Sequence, residues 1–589
     1  MTLSGQPDSF TLRHFVALAL GLSLASVAAA QSTPQVQPGA AQPLPPAVPS
    51  VIRPVDESLL AVPPVVDRPL GLDEGPRIIV SRFVLQGAAD HSDKGLSLAS
   101  LQQALDRALK AQPVDGYTVN QLQKVADQLS VAYRAKGYVL TQAFIPAQDV
   151  KNGEVHVQVL EGRLGAIRVE GNKRYRTSAI KAPLEPVVHT TVNQQDVEGR
   201  LLRLASYPGL SVFGVFTPGQ NVGDSDLVLK VQREKALDVD LGADNYGSPY
   251  NGEKRGRIGL AWNSPIGIGD RLALSFLKGA SGATASGADT KYYTVDYRVP
   301  VSAGRGAFTL AYGNNDYAVG GALEGIYSGR AKVGTAGFEW ETGRSRLGHS
   351  YLYVHADTKK GTFNTATGFS TLPITAEEKL TDGEIGFVYD RTDSNGGGRW
   401  DMVLSALHGN NSNSGSQTIR PESDSSYTIG RIAVERLQRV TKFTTLRLHV
   451  GGQFTSNALP TLEETALGGP TSVRSYEVAR YVGDKSVSGS LEYYMGAPGF
   501  AAKPGPGGQP WGQALQFVVF TDFGRGWLNS TTGIAQRDLK GAGVGVAFNL
   551  PHRLSLRIDV SKPLSATDDD KAQTYYKSTR VYASLGVTF

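Results

Sequence analysis

The residues of this chain whose types could carry chemistry are nine histidines, many serines and several acidic runs. Their spacing assembles no reaction centre. No His-Glu-x-x-His pair is there to hold a catalytic zinc, and there is no phosphate-binding glycine loop. Gly267-Ile268-Gly269 lacks the strand–turn–helix setting of a dinucleotide site and reads as a hairpin turn. Asp568-Asp569-Asp570 lacks calcium-loop spacing and reads as a solvated loop. The serines lie in loops without a matching His and Asp, so no hydrolase centre forms. The sequence therefore predicts no enzyme, no metal and no cofactor. Lys+Arg number 59 against Asp+Glu 54, a net charge of +5. That balance offers no concentrated basic face for nucleic acid. The chain has 0 Cys, which excludes disulfides and also mispairing in an oxidising compartment.

The flanking elements define the setting. Arg13 and His14 precede the apolar run from Phe15 to Leu24, and Ala28-Ala29-Ala30 follows. The run is too short to span a bilayer, and the pattern predicts a secretory signal peptide over residues 1–30. Residues 31–76 carry eleven Pro and read as an extended linker, because each Pro removes a helix donor. Residues 77–163 then read β-α-α-β-β. A strand from Arg77 to Gln86 is followed by Leu98, Leu101, Leu105 and Leu109, then by Leu122, Val125, Leu129 and Tyr133, at helical spacing. Gly137 closes the second helix, and strands are expected over 138–144 and 155–160. Residues 164–234 repeat that order, with strands at 166–170, 211–217 and 227–231 and helices from about Ser178 and over 193–206. Small sheets of this kind leave strand edges open to pairing with an extended segment of another chain.

From residue 235 to Phe589 the texture is uniform. Leu272, Leu274 and Phe276 alternate with Arg271, Ala273 and Ser275, and Leu554, Leu556, Ile558 and Val560 alternate with Arg553, Ser555, Arg557 and Asp559. Such strands put one face to lipid and one to water. A soluble sandwich also alternates, but the signal sequence and the strand-borne tyrosines favour a barrel. At about 22 residues per strand and connection, the segment supplies roughly 16 antiparallel strands. Pro300 to Gly304 reads as a short turn, and His408 to Gly415 as a long polar loop. The last strand ends on Phe589.

Together these pieces resemble the TpsB transporters of two-partner secretion, the filamentous-haemagglutinin and haemolysin exporters of type V secretion. The resemblance spans about residues 77–589. In the α/β units it rests on Gly137-Tyr138-Val139, Pro146-Ala147-Gln148, Asn152-Gly153 and Leu160-Glu161-Gly162. At the start of the barrel it rests on Asp244-Asn245-Tyr246-Gly247-Ser248 and on Asn263-Ser264-Pro265-Ile266-Gly267 with Gly269-Asp270. Further on, Val473-Arg474-Ser475-Tyr476 after Gly468-Gly469 is similar to the family's V-R-G-Y tip, and Phe520-Thr521-Asp522-Phe523-Gly524 to its F-x-D-x-G motif.

The resemblance implies two periplasmic POTRA domains and an outer-membrane barrel whose long loop folds into the lumen, with Arg474 paired to Asp522. Parity agrees for Asp522. It shares a strand face with Val518, Phe520 and Gly524, and a charge facing lipid costs a few kcal/mol, so this face is the lumen. Phe520 on that face then needs a cover, which a folded-back loop supplies. Phe589 looks like the C-terminal insertion signal of outer-membrane proteins.

The implied function is export of a secreted TpsA-like partner from the periplasm to the cell surface without a nucleotide. The long loops are expected outside, and the barrel-assembly machinery and periplasmic chaperones are expected to act in biogenesis. An outer-membrane assembly factor is the alternative. Two α/β units rather than five, and Tyr476, favour export. The chain departs from the family at Ser475, where Gly is usual, and its Pro-rich residues 31–76 do not fit a plug helix.

Overall fold

The computed structural model describes residues 60–61 and 76–589, except residues 249, 283–285, 322–323, 367–374, 414–418, 530–534, 551–552 and 573–575. The expected signal peptide, and all of the linker but residues 60–61 and 76, lie outside the described residues. The chain divides into two compact bodies, one ending at Glu234 and one beginning at Lys235.

The first body opens with a short strand, β1 (Leu60–Ala61). The first α/β unit follows as β2 (Arg82–Gln86), α1 (Leu98–Lys110), α2 (Val119–Ala135), β3 (Gln142–Phe144) and β4 (Glu154–Leu160). The second comprises β5 (Arg163–Glu170), α3 (Thr177–Lys181), α4 (Gln194–Ala205), β6 (Leu210–Pro218) and β7 (Asp224–Glu234). Local chemistry sets the boundaries. Ser97 caps α1 by accepting the N–H of Ser100. Thr118 and Gln121 form a capping box on α2. Gly137, at φ 90°, ends α2 in a conformation that a side chain would resist. Leu101, Leu105, Leu122, Leu129 and Tyr133 then pack on Val155 and Val157 of the sheet.

Two strands are shorter than their residue types suggest. Residues 77–81 precede β2, with only Ile78 bridged, to Tyr117. Tyr138 to Thr141 turn out of the helix before β3 begins, and the N–H of Thr141 donates to the carbonyl of Tyr138. The sheets run β2-β4-β3 and β1-β6-β7-β5. The outer edge of β6 is therefore paired by β1, in parallel, through Leu60 and Ala61.

Glu161 ties the two units together. It accepts from the N–H of Ala89 (2.8 Å), the Tyr133 hydroxyl (2.8 Å) and the Thr191 hydroxyl (3.1 Å), and it meets His91 Nε2 at 3.1 Å. Burial pushes its carboxyl up, but these hydrogen bonds hold it below the ordinary carboxylate value.

The second body is a closed barrel of sixteen strands. In chain order these are β8 (Leu237–Asp244), β9 (Lys254–Asn263), β10 (Arg271–Ala280), β11 (Asp289–Val301), β12 (Gly306–Ala318), β13 (Tyr327–Ser345), β14 (Gly348–Thr365), β15 (Thr375–Thr392), β16 (Gly398–Asn411), β17 (Ser426–Thr441) and β18 (Thr444–Phe454). A long excursion follows, containing the hairpin β19 (Thr465–Leu467) and β20 (Tyr481–Gly483). The barrel resumes with β21 (Lys485–Gly496), β22 (Leu515–Trp527), β23 (Gln536–Leu550), β24 (Leu554–Pro563) and β25 (Arg580–Thr588). β25 pairs antiparallel with β8, which leaves no open edge.

The outward positions form an apolar band. It includes Leu260 and Trp262 on β9, Phe308 and Leu310 on β12, Val354 on β14 and Val519 on β22, all exposed. Phe589 is exposed at the chain end, and its N–H donates to Val239 of β8.

Two loop expectations are corrected. His408 to Asn411 belong to β16, where His408 faces Thr428 of β17 in register, so the connection begins at Ser412. Asp568–Lys571 form a short helix rather than a loop, in which Asp568 and Asp569 are exposed as expected. Asp570 is buried there and pairs with Arg480 (2.8 Å) and Arg537. The reason lies in partners distant in sequence, which no local pattern reveals.

Candidate functional site

Residues 455–484 leave the barrel at the end opposite Leu237 and Phe589 and return through its interior. Their side chains meet inward-facing residues of strands on two sides of the barrel. Gly468 (φ 104°) and Gly469 (φ 91°) make the turn that starts the tip. The N–H of Gly468 donates to Ser472 Oγ (2.8 Å), and the N–H of Tyr476 to the Val473 carbonyl (3.1 Å). Val473, Arg474, Ser475 and Tyr476 are all buried.

Strand register builds the receiving wall. Ser490 of β21, Asp522 of β22 and Gly541 of β23 stand in one row across three strands. Glu492, Phe520, Gly543 and Ser561 form the next row, from β21 to β24. Both rows point inward. Arg474 enters between them. Its Nε donates to Asp522 Oδ2 (2.9 Å) and its Nη2 to Asp522 Oδ1 (2.6 Å), a two-pronged pairing that a guanidinium suits. The backbone N–H of Arg474 also donates to Asp522 Oδ2 (3.0 Å). Nη2 reaches Ser490 Oγ (2.8 Å), while Nη1 meets Glu492 (2.9 Å) and Asp559 (3.6 Å). The guanidinium carbon lies 3.5 Å from the centroid of the Phe520 ring, in cation–π geometry. Phe520 thus acquires its expected cover, from the arginine itself.

The small residues of the wall make the seat. A Cβ on Gly524 would come within 2.9 Å of Val473 Cγ2, so the glycine of the F-x-D-x-G segment admits the loop. A Cβ on Gly541 would collide with Ser475 Oγ. Ser475 is not among the residues with positive φ, so its backbone suits a side chain, and the space over Gly541 accommodates that side chain. The Ser561 hydroxyl donates to the Arg474 carbonyl (2.9 Å), and the Tyr582 hydroxyl to the Tyr476 carbonyl (3.2 Å). The Tyr476 hydroxyl pairs with Ser565 (3.1 Å).

The structure thus brings Val473, Arg474, Ser475, Phe520, Asp522 and Gly524 together, with Tyr476 alongside against β25. Phe589 stands apart, at the barrel rim. Sequence reasoning missed Glu492, Asp559, Arg557, Ser490 and Gly541. Glu492 also meets Arg447 (3.5 Å) and Arg557 (3.3 Å), and Arg557 meets Asp559 (2.8 Å). Arg557 and Asp559 are visible in sequence as charges on the polar parity of β24, but only register shows which neighbours they face.

A closed sixteen-strand barrel, preceded by two small α/β units and crossed by a loop pinned to its inner wall, defines an outer-membrane transporter of polypeptides. The pattern of one known family, described as "Haemolysin secretion/activation protein ShlB/FhaC/HecB", matches residues 223–548, and that of the ShlB-type POTRA domain matches residues 80–162. The chain belongs to that secretion family. It is an outer-membrane transporter that secretes a partner protein, as two-partner systems do. Among similar proteins is the heme/hemopexin transporter protein HuxB of Haemophilus influenzae strain 86-028NP, 22% identical over 491 residues, covering 79% of this chain and 81% of the relative. Two solved structures share the fold. CdiB from Escherichia coli has a TM-score of 0.65 at 20% identity, over 89% of this chain and 93% of that one. CdiB from Acinetobacter baumannii has a TM-score of 0.62 at 19% identity, over 100% of both chains.

Proposed function

We propose that the loop of residues 455–484 is the movable barrier of the secretion path, and that the Arg474–Asp522 pair is its latch. The observation that carries this reading is the buried two-pronged pairing of Arg474, from the loop tip, with a wall carboxylate. A loop crossing the lumen obstructs an unfolded chain, so secretion requires it to shift. Opposite charges that are buried but hydrogen-bonded hold a position firmly, yet they regain hydration when water enters. On this reading the two α/β units stand in the periplasm and receive the TpsA-like partner in unfolded form. The connections at the far end of the barrel face the medium. Residues 1–30 direct the chain to the periplasm and are removed, and Phe589 marks the last strand for insertion by the barrel-assembly machinery. No nucleotide enters the cycle; folding of the partner outside draws it forward.

Co-expression with a secreted TpsA-like partner protein tests the reading. That protein should reach the medium with the wild-type transporter and stay periplasmic with Arg474→Ala, although the variant still inserts. Normal secretion by Arg474→Ala and by Asp522→Ala would remove the latch role.

A further inference from the structure

The tip is not the only part of the loop that grips the wall. Before β19 the loop makes one tight turn, Thr461–Glu463, whose three residues are all buried. Glu463 is fully buried, and both of its oxygens hold cations of the barrel wall. Oε1 meets Lys359 Nζ of β14, and Oε2 accepts from Arg431 Nη2 of β17 (2.7 Å). The N–H groups of Thr461 and Leu462 donate to the two oxygens of Glu378 on β15 (3.0 and 3.2 Å). Leu462 and Leu459 fill an apolar cluster with Val333, Leu380, Leu407 and Ile429 of the same wall. Gln453 of β18 donates to the carbonyls of Glu463 (2.8 Å) and Asp484 (3.2 Å), which ties the start of the loop to its end.

These strands, β13 to β18, are a different group from β21 to β25, where the tip is held. The loop is therefore a strap fastened at both ends of its crossing. The two fastenings differ in what they leave behind. Asp522 has Arg474 as its ion-pair partner among the described residues. Lys359 and Arg431 have other carboxylates at hand, Asp382 at 3.0 Å from Lys359 and Glu384 at 3.7 Å from Arg431, both on β15. When Glu463 withdraws, the wall keeps its charge balance.

We propose that Glu463 is a second positioning residue of the secretion path. It anchors the root of the strap on Lys359 and Arg431 independently of the tip, so that releasing the tip frees only the distal half of the loop. This inference rests on the reading of the loop as the movable barrier.

The test is ion conductance of the full-length protein in planar lipid bilayers, comparing wild type, Arg474→Ala, Glu463→Gln and the double variant. Glu463→Gln should raise the frequency of open events by roughly tenfold or more, the scale of one lost charge-assisted hydrogen bond. The double variant should show a larger unit conductance than either single variant, because the strap then leaves the lumen along its whole length. Lys359→Met should also raise the opening frequency, and combining it with Glu463→Gln should add less than the sum of the two single effects, a coupling that a merely structural role would not produce. Resistance of the folded barrel to unheated detergent checks assembly. Where Glu463→Gln does not assemble, Lys359→Met and Glu463→Asp probe the same contact, from the wall side and through a shortened side chain. If the assembled Glu463-side variants behave as wild type while Arg474→Ala opens the pore, the second anchor is refuted and the barrier reading stands. If Arg474→Ala also leaves conductance unchanged, the barrier reading itself fails.

Discussion

Replacing Arg474 should release the loop tip more strongly than neutralising Asp522, although the two form one pair. Their surroundings explain the asymmetry. The Asp522 side chain is buried, and its ion-pair partner among the described residues is Arg474. Arg474→Ala therefore strands a buried carboxylate. Breaking a buried pair in this way costs about 3–5 kcal/mol, which shifts the latched-to-released balance by roughly 10²- to 4 × 10³-fold. Asp522→Asn leaves Arg474 beside Glu492 (2.9 Å) and Asp559 (3.6 Å), with Ser490 still accepting at 2.8 Å. The loss is then nearer that of a hydrogen bond to a charged group, about 1.5–3 kcal/mol, or roughly 10- to 100-fold. The combined variant Arg474→Ala with Asp522→Asn should be milder than Arg474→Ala alone, because no charge is stranded. Since the chain has 0 Cys, a single cysteine at exposed Thr471 carries a spin label without background. Label mobility should rise in the order wild type, Asp522→Asn, Arg474→Ala, with the combined variant between the last two or below them. Equal mobility for the two single variants, or a combined variant as mobile as Arg474→Ala, would refute the account of where the uncompensated charge falls.

Two further outcomes follow from packing and from titration. Gly541→Ala places a methyl group where Ser475 Oγ sits and should loosen the tip by about 1–3 kcal/mol, the usual scale of overpacking; adding Ser475→Gly should undo the effect, as read by the same label. Glu161 is held below its ordinary value, so its contribution to stability is present above about pH 4.3 and is lost as pH falls through the folded-state value. Denaturant unfolding of residues 76–234 between about pH 3 and 6 should show a steeper loss of stability for wild type than for Glu161→Gln, and parallel curves would contradict it.

The sequence by itself determined the elements that depend on local periodicity. Leu101, Leu105, Leu122 and Leu129 at helical spacing specify α1 and α2, and Gly137 marks where α2 stops. The two-residue alternation along β10 and β24 specifies a wall with one apolar face, and the length of the segment specifies about sixteen strands. It also assigned Asp522 to the lumen, since a charge is costly in lipid and successive residues of a strand face opposite ways. Family-like segments pointed to Arg474 as the partner of Asp522, though no spacing within the chain could have paired residues so far apart.

Tertiary structure decided everything that depends on register and on the path of the loop. Glu492 and Asp559 flank Arg474 because β21, β22, β23 and β24 align at particular offsets, and an offset of one residue would have turned those carboxylates to lipid. The value of Gly524 and Gly541 lies in the space they leave for Val473 and Ser475, which exists only once the loop is inside. Asp570 reads as solvated in a run of three aspartates, yet it is buried between Arg480 of the loop and Arg537 of β23. Glu463 likewise looks like an ordinary loop glutamate. It becomes an anchor only because the closed barrel brings Lys359 and Arg431 to face it across separate strands. Local sequence fixes which side of a strand a residue faces, but which charges meet is fixed by closure of the barrel and by the chain that crosses its interior.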